Sequence, residues 1–166
     1  MSAMAASSST TSSSSACSGA SSMSSQTEGV RKMILKKIVL GSAGLGVAVI
    51  GVIYLLAPHL LLDVYGVDIQ SPSEANIFRS GSGALYVALA ILFLLGAFNT
   101  RYTRTSLVTL FTFMSGLVVG RLVSIVADGW PHVVLIVVLV VEASFAGAAA
   151  YALRVQDSSQ QLRETA

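Results

Sequence analysis

The chain has 166 residues, of which only 11% are charged and 54% hydrophobic, and its mean hydropathy is +0.76. An ordinary soluble domain carries roughly 25% charged residues, so a water-exposed globular fold is excluded by composition. The formal charge of +2 is small, and its basic residues sit beside apolar runs, where they act as topology signals rather than as a nucleic-acid footprint. No nucleic-acid partner is expected.

Residues 1–29 are almost entirely Ser, Thr, Ala and Gly, with Glu28 the only charge. Such a segment buries too little apolar area to offset the entropy of ordering it, so a disordered tail is expected. The alternative is an organellar targeting segment, but those carry arginines throughout, and none precedes Arg31. The single cysteine, Cys17, excludes an internal disulfide and a cysteine metal cluster.

Residues 30–154 read as a membrane domain of four helices, at about 33–57, 79–98, 105–127 and 132–153, each near the ~20 residues needed to span hydrocarbon. The fold class is therefore all-α, a polytopic four-helix transmembrane bundle. Arg31, Lys32, Lys36 and Lys37 introduce the first helix and Pro58 marks its end. Tyr65 belongs at headgroup level in the longest connection. Ser71-Pro72-Ser73-Glu74 has the form of a helix N-terminus, so a short helix leads into the second span. Asn99-Thr-Arg-Tyr-Thr-Arg104 is a basic turn, and Asp128-Gly129-Trp130-Pro131 is a tight turn with a belt-type aromatic. Residues 155–166 form a polar tail. A soluble bundle would need a polar face on every helix, and a β-barrel would need alternating rather than continuous apolar runs.

With four spans, the basic cluster before the first helix lies on the same side as Arg101, Arg104, Arg154 and Arg163. The opposite side carries Arg79 with Asp63, Asp68, Glu74 and Asp128. The positive-inside rule then puts both termini in the cytoplasm, or in the matrix or stroma of an organelle. The expected location is an inner or plasma membrane.

Two charges fall within apolar helices. Arg121 lies about 10 Å below the outer turn and Glu142 about 16 Å below it, at 1.5 Å per residue. The tight turn makes their helices antiparallel neighbours. A charge at such depth faces the interior and finds a partner, so an Arg121–Glu142 salt bridge is expected. Arg79, Asp128, His59 and His132, with Glu74 and Asp63, belong to the outer ends and would complete a polar vestibule floored by Glu142. Gly116-x-x-x-Gly120 and Ala143-x-x-x-Gly147 are small-xxx-small patterns, read as the close contact between the third and fourth helices. His59 and His132 lack any short ligand spacing such as His-Glu-x-x-His, so no metal site is expected. No cofactor can be assigned.

Gly120-Arg121, the Asp128-Gly129 turn and a following helix with a buried glutamate together resemble a family of small four-helix bacterial membrane proteins that carries a domain-of-unknown-function label. Arg79-x-Gly81-x-Gly83 and Tyr54-x-x-x-Pro58 fit the same pattern, though serines interrupt the former. The resemblance covers residues 33 to 154. It implies a bundle related in general shape to small quinone-oxidoreductase-associated and sterol-binding-like membrane bundles, and it brings no substrate.

The leading expectation is a non-enzymatic accessory subunit or binder of a lipid or small molecule such as a quinone. Its internal polar site would be built from Arg79, Arg121, Asp128 and Glu142. One alternative is an enzyme or transporter component that uses Glu142 and Arg121 as a proton relay or substrate-binding pair. Another is a structural subunit of a larger membrane complex, or a self-associating protein.

Overall fold

The structure, a computed structural model, describes the backbone of residues 14–164 and the side chains of residues 29–155 apart from Lys32. Every regular element among the described residues is helical. In chain order these are α1 (Ser14–Leu56), α2 (Pro58–Leu62), a 3-10 turn (Asp63–Tyr65), α3 (Pro72–Phe78), a π turn (Arg79–Ala84), α4 (Leu85–Phe98), α5 (Thr100–Asp128) and α6 (Val133–Glu164). Of the expected N-terminal tail, residues 1–13 lie outside the described residues and the backbone of 14–29 belongs to α1. The Cys17 side chain also lies outside the description. The expected polar C-terminal tail is taken up by α6 as far as Glu164, and residues 165–166 are outside the description.

The chain divides into two compact units, Met1–Ile34 and Leu35–Ala166. The first contains the N-terminal part of α1. The second contains the bundle core and the candidate site.

Four stretches are long and apolar enough to cross a membrane: Gly29–Leu56, Pro72–Phe98, Thr100–Asp128 and Val133–Val155. The second begins seven positions earlier than the expected 79, because Ser71 starts a helix that the π turn carries into α4 without a break. Ser71 accepts a hydrogen bond at Oγ from the Glu74 amide (3.2 Å), and the Glu74 carboxylate accepts one from the Gln70 amide (2.7 Å). Two of the amides left without helical partners at this N-terminus are thereby satisfied. Asn99 caps α5 through Oδ1, which accepts from the Arg101 amide at 3.0 Å. Gly129, at φ +94, ends α5 in a backbone conformation that side chains with a Cβ rarely adopt.

The core is assembled from one stripe on each of the four long apolar helices. Leu40, Ala43 and Val47 come from α1, and Ala90, Phe93 and Ala97 from α4. Leu107, Leu110 and Met114 come from α5, and Ala146, Ala149 and Ala152 from α6. The spacings of three, four and seven are those of one helical face. Small residues dominate the α6 stripe, which lets its backbone approach the other helices.

Close approach of α1 to the second span is made at Gly51 and Gly83. A Cβ on Gly51 would lie 2.9 Å from the Val87 nitrogen, and one on Gly83 would lie 2.8 Å from the Leu55 nitrogen. The α4–α5 contact uses Gly96, where a Cβ would collide with Ser106. Ser106 is fully buried and donates its hydroxyl to the Leu92 carbonyl at 2.7 Å, while Thr103 donates to the Gly96 carbonyl at 2.8 Å. These bonds leave no buried hydroxyl unpaired at the crossing.

The expected small-xxx-small contact between the third and fourth spanning helices is not the one formed. Gly116, Gly120, Ala143 and Gly147 are all exposed. A Cβ on any of the three glycines would meet nothing within 4 Å. The reason is helical phase. Successive residues are rotated by about 100°, so a helix that turns Leu117 and Arg121 inward must turn Gly116 and Gly120 aside. The same holds for Ala143 and Gly147 beside the inward Glu142 and Ala146.

Gly51→Ala and Gly83→Ala should each lower stability by roughly 1–3 kcal/mol, the usual cost of overpacking. Gly116→Ala and Gly147→Ala should leave the thermal midpoint unchanged or slightly raised. Thermal unfolding of detergent-solubilised protein, followed by tryptophan fluorescence, separates the two classes.

Candidate functional site

Arg121 continues the inward stripe of α5, one turn beyond Leu117, and Glu142 opens the inward stripe of α6. The short Gly129–His132 connection holds the two helices antiparallel and brings the side chains level. Arg121 donates from Nε to Glu142 Oε2 at 2.7 Å and from Nη2 to Oε1 at 3.0 Å. Two parallel charge-assisted bonds fix both planes, an arrangement an arginine can make and a lysine cannot. The Glu142 side chain is 9% exposed and that of Arg121 is 28% exposed. The carboxylate is therefore the buried partner, with the guanidinium reaching it from the rim.

Beside the pair is a cavity of about 110 Å³. Its wall is drawn from all four long apolar helices: Ala43, Gly46, Val47 and Ile50 of α1; Tyr86 of α4; Phe113, Met114 and Leu117 of α5; and Val138, Val141, Glu142 and Phe145 of α6. The lining residues are apolar except for Glu142, which carries a carboxylate, and Tyr86, which carries a hydroxyl. Ala43, Val47, Met114 and Glu142 are buried, whereas Gly46, Ile50 and Val141 are exposed. On α1, Gly44 and Gly51 face α4, while Gly46 and Ile50 lie on the other side of the helix. The cavity thus opens sideways, between α1 and α6.

Sequence reasoning missed Tyr86. Tyr86 makes edge-to-face contacts with Tyr54, at 6.4 Å between ring centroids, and with Phe113, at 5.6 Å. Such pairs contribute about 0.5–1.5 kcal/mol beyond the area they bury. Tyr54, Tyr65 and Tyr86 all lie within electrostatic reach of Arg121, and Tyr86 also within reach of Glu142. The available signal was phase: Tyr86, Ala90, Phe93 and Ala97 share one face of α4, so the tyrosine belongs with the core.

The remaining polar residues make no bond to the pair among the described residues. Asp128 is exposed and accepts from the Ser124 hydroxyl at 3.0 Å, on its own helix. His132 is exposed, its Nδ1 accepting a long 3.4 Å bond from the Val134 amide. Arg79 and His59 are exposed. No hydrogen bond or ion pair joins Arg79, Asp128, His59 or His132 to Arg121 or Glu142 among the described residues. The bonded polar site is the Arg121–Glu142 pair, with Tyr86 on the wall of the same cavity. Among the described residues, no three His, Cys, Asp or Glu side chains are grouped to hold a metal ion.

The model of a protein family described as "domain of unknown function (DUF4345)" matches residues 35–153. The ion pair, the three tyrosines and the whole cavity wall fall within that stretch. Neither a curated protein nor a solved structure matches the chain.

Removing one member of a buried pair strands the other charge, which costs about 3–5 kcal/mol. Arg121→Met or Glu142→Leu alone should therefore reduce folded protein sharply. The double variant Arg121→Met/Glu142→Leu, which leaves no unpaired charge, should recover most of the loss. Size-exclusion profiles of detergent extracts after graded heating measure all three.

Proposed function

This chain belongs to the DUF4345 family, and from that premise we propose that it is a non-enzymatic integral membrane protein whose bundle receives a small, largely apolar molecule from the surrounding lipid. The observation that carries the reading is the cavity, lined by all four spanning helices and holding a buried carboxylate in an otherwise apolar wall. Ligand sites generally combine such apolar enclosure with a few polar groups that set orientation. The opening between α1 and α6 supports delivery from the bilayer rather than from water.

Membrane insertion is supported by what the helices present to their surroundings. Ile38, Leu45, Val49 and Leu56 on α1 are exposed, as are Ile91 and Leu95 on α4, Val119, Val123 and Val126 on α5, and Val133, Val137 and Val140 on α6. In water these would form an apolar patch far beyond what a soluble monomer tolerates. In hydrocarbon they are the expected surface. Trp130, 83% exposed in the α5–α6 turn, suits an interfacial anchor. The distribution of basic residues supports both termini lying in the cytoplasm, or its organellar equivalent. Arg121 and Glu142 then form the polar end of the site, and their mutual neutralisation lets that end sit inside the bundle.

Gly46 provides the test. It lines the cavity, and a Cβ there would meet nothing within 4 Å, so Gly46→Phe places a ring at the cavity wall without pushing on the backbone. Protein purified from membranes in mild detergent should carry a co-purifying molecule, identified by extraction and mass spectrometry, that is lost from Gly46→Phe at unchanged yield. The same molecule should be lost from the folded Arg121→Met/Glu142→Leu protein. Equal recovery of every extracted species from wild type and Gly46→Phe would overturn the reading.

A further inference from the structure

We infer that the cavity beside the Arg121–Glu142 pair selects an uncharged, compact apolar molecule bearing one hydroxyl group, an alcohol or a phenol, and rejects carboxylates. The inference rests on the reading of the cavity as a ligand site and adds the chemistry of what fills it.

The first argument is charge. Arg121 and Glu142 cancel one another through two hydrogen bonds, so the site has no net charge to offer. An ionised ligand entering it would be an uncompensated charge in an apolar enclosure, which is strongly unfavourable. A neutral group meets no such penalty.

The second argument is unmet hydrogen-bonding capacity. Each Glu142 oxygen accepts one bond from Arg121, while an ionised carboxylate has about four acceptor positions. The side chain is only 9% exposed, so water from outside has little access, and the free positions look for a donor within the cavity. Tyr86 has the opposite need. Its ring is fixed by Tyr54 and Phe113, yet its hydroxyl makes no hydrogen bond to protein among the described residues. Half-buried tyrosine hydroxyls normally find a partner. Both residues line the same cavity, and the two groups lie within electrostatic reach of one another. A ligand hydroxyl is both donor and acceptor, so it can donate to Glu142 and accept from Tyr86 at once. A carbonyl can only accept and would leave Glu142 as it is; a hydrocarbon satisfies neither.

The third argument is size and shape. At about 110 Å³ the space is somewhat smaller than the roughly 150 Å³ protein cavity known to hold benzene. A single ring or a short branched chain fills it, with any longer tail leaving through the opening between Ile50 and Val141. Tyr86, Phe113 and Phe145 offer ring edges and faces to such a body.

The experiment compares three probes of one ring size, phenol, toluene and benzoate, by titration against purified detergent-solubilised protein with saturation-transfer NMR. Gly46→Phe serves as the blocked control and Tyr86→Phe as the variant that keeps the ring and removes the hydroxyl. Phenol should bind wild type about tenfold tighter than toluene, the worth of one net hydrogen bond. Benzoate should not bind. Tyr86→Phe should weaken phenol and leave toluene unchanged. Toluene binding as tightly as phenol, or benzoate competing with phenol, would overturn the hydroxyl assignment while leaving the cavity as a site. If no probe distinguishes wild type from Gly46→Phe, the ligand reading of the cavity itself fails.

Discussion

Two hydrogen bonds between one guanidinium and one carboxylate set the terms for the rest of this bundle. Arg121 and Glu142 can be tolerated among apolar helices only because each cancels the other. To do so, α5 and α6 must be antiparallel, level and rotated so that both residues face inward. That rotation determines which other residues reach the core. On α5 it brings in Leu110, Met114 and Leu117, and on α6 Ala146, Ala149 and Ala152. It also sends Gly116, Gly120, Ala143 and Gly147 outward. A buried ion pair is weak evidence for stability, since a well-packed apolar pair would often serve as well. Its strength lies in directing helix phase.

The cavity follows from the same constraint. The pair holds α5 and α6 together, while the glycine crossings hold α1 against the second span. What remains is a gap where α1 approaches α6, walled by Gly46 and Ile50 on one side and Val138, Val141 and Glu142 on the other. Gly46 leaves space here because it has no side chain, in contrast to Gly51, whose missing side chain is occupied by the backbone of α4. Two glycines of one helix thus serve opposite purposes: one brings helices together and the other keeps room between them.

Much of this was legible in the chain itself. Four apolar runs with basic flanks define four helices, and two charges on helices joined by a tight turn, at depths an arginine stem can bridge, have few alternatives but each other. The glycine contact was misread because a spacing of four says that two residues share a face, not which face. Had Arg121 been used to set the phase, the neighbouring glycines would have been excluded from that contact. The groups at the helix ends make no bond to the pair, for a different reason. His59, Arg79, Asp128 and His132 all lie near helix ends, but at an end solvent or headgroups can satisfy a polar group, so nothing compels convergence. Tyr86 was overlooked because an aromatic in an apolar run carries no contrast; only its stripe reveals it.

The π turn at Arg79–Ala84 has a consequence for the length of the chain. A π turn holds one residue more than the α-helix would seat in the same rise. The inward stripe of Tyr86, Ala90, Phe93 and Ala97 therefore cannot be extended back through Gly83 towards Pro72 with an unbroken α period. Removing one residue from this turn would therefore restore the ordinary helix while leaving both Pro72–Phe78 and everything after Leu85 in their present phase. A shortening by one residue between Phe78 and Leu85 is thus a length change that the stretch Pro72–Phe98 absorbs without turning either of its ends.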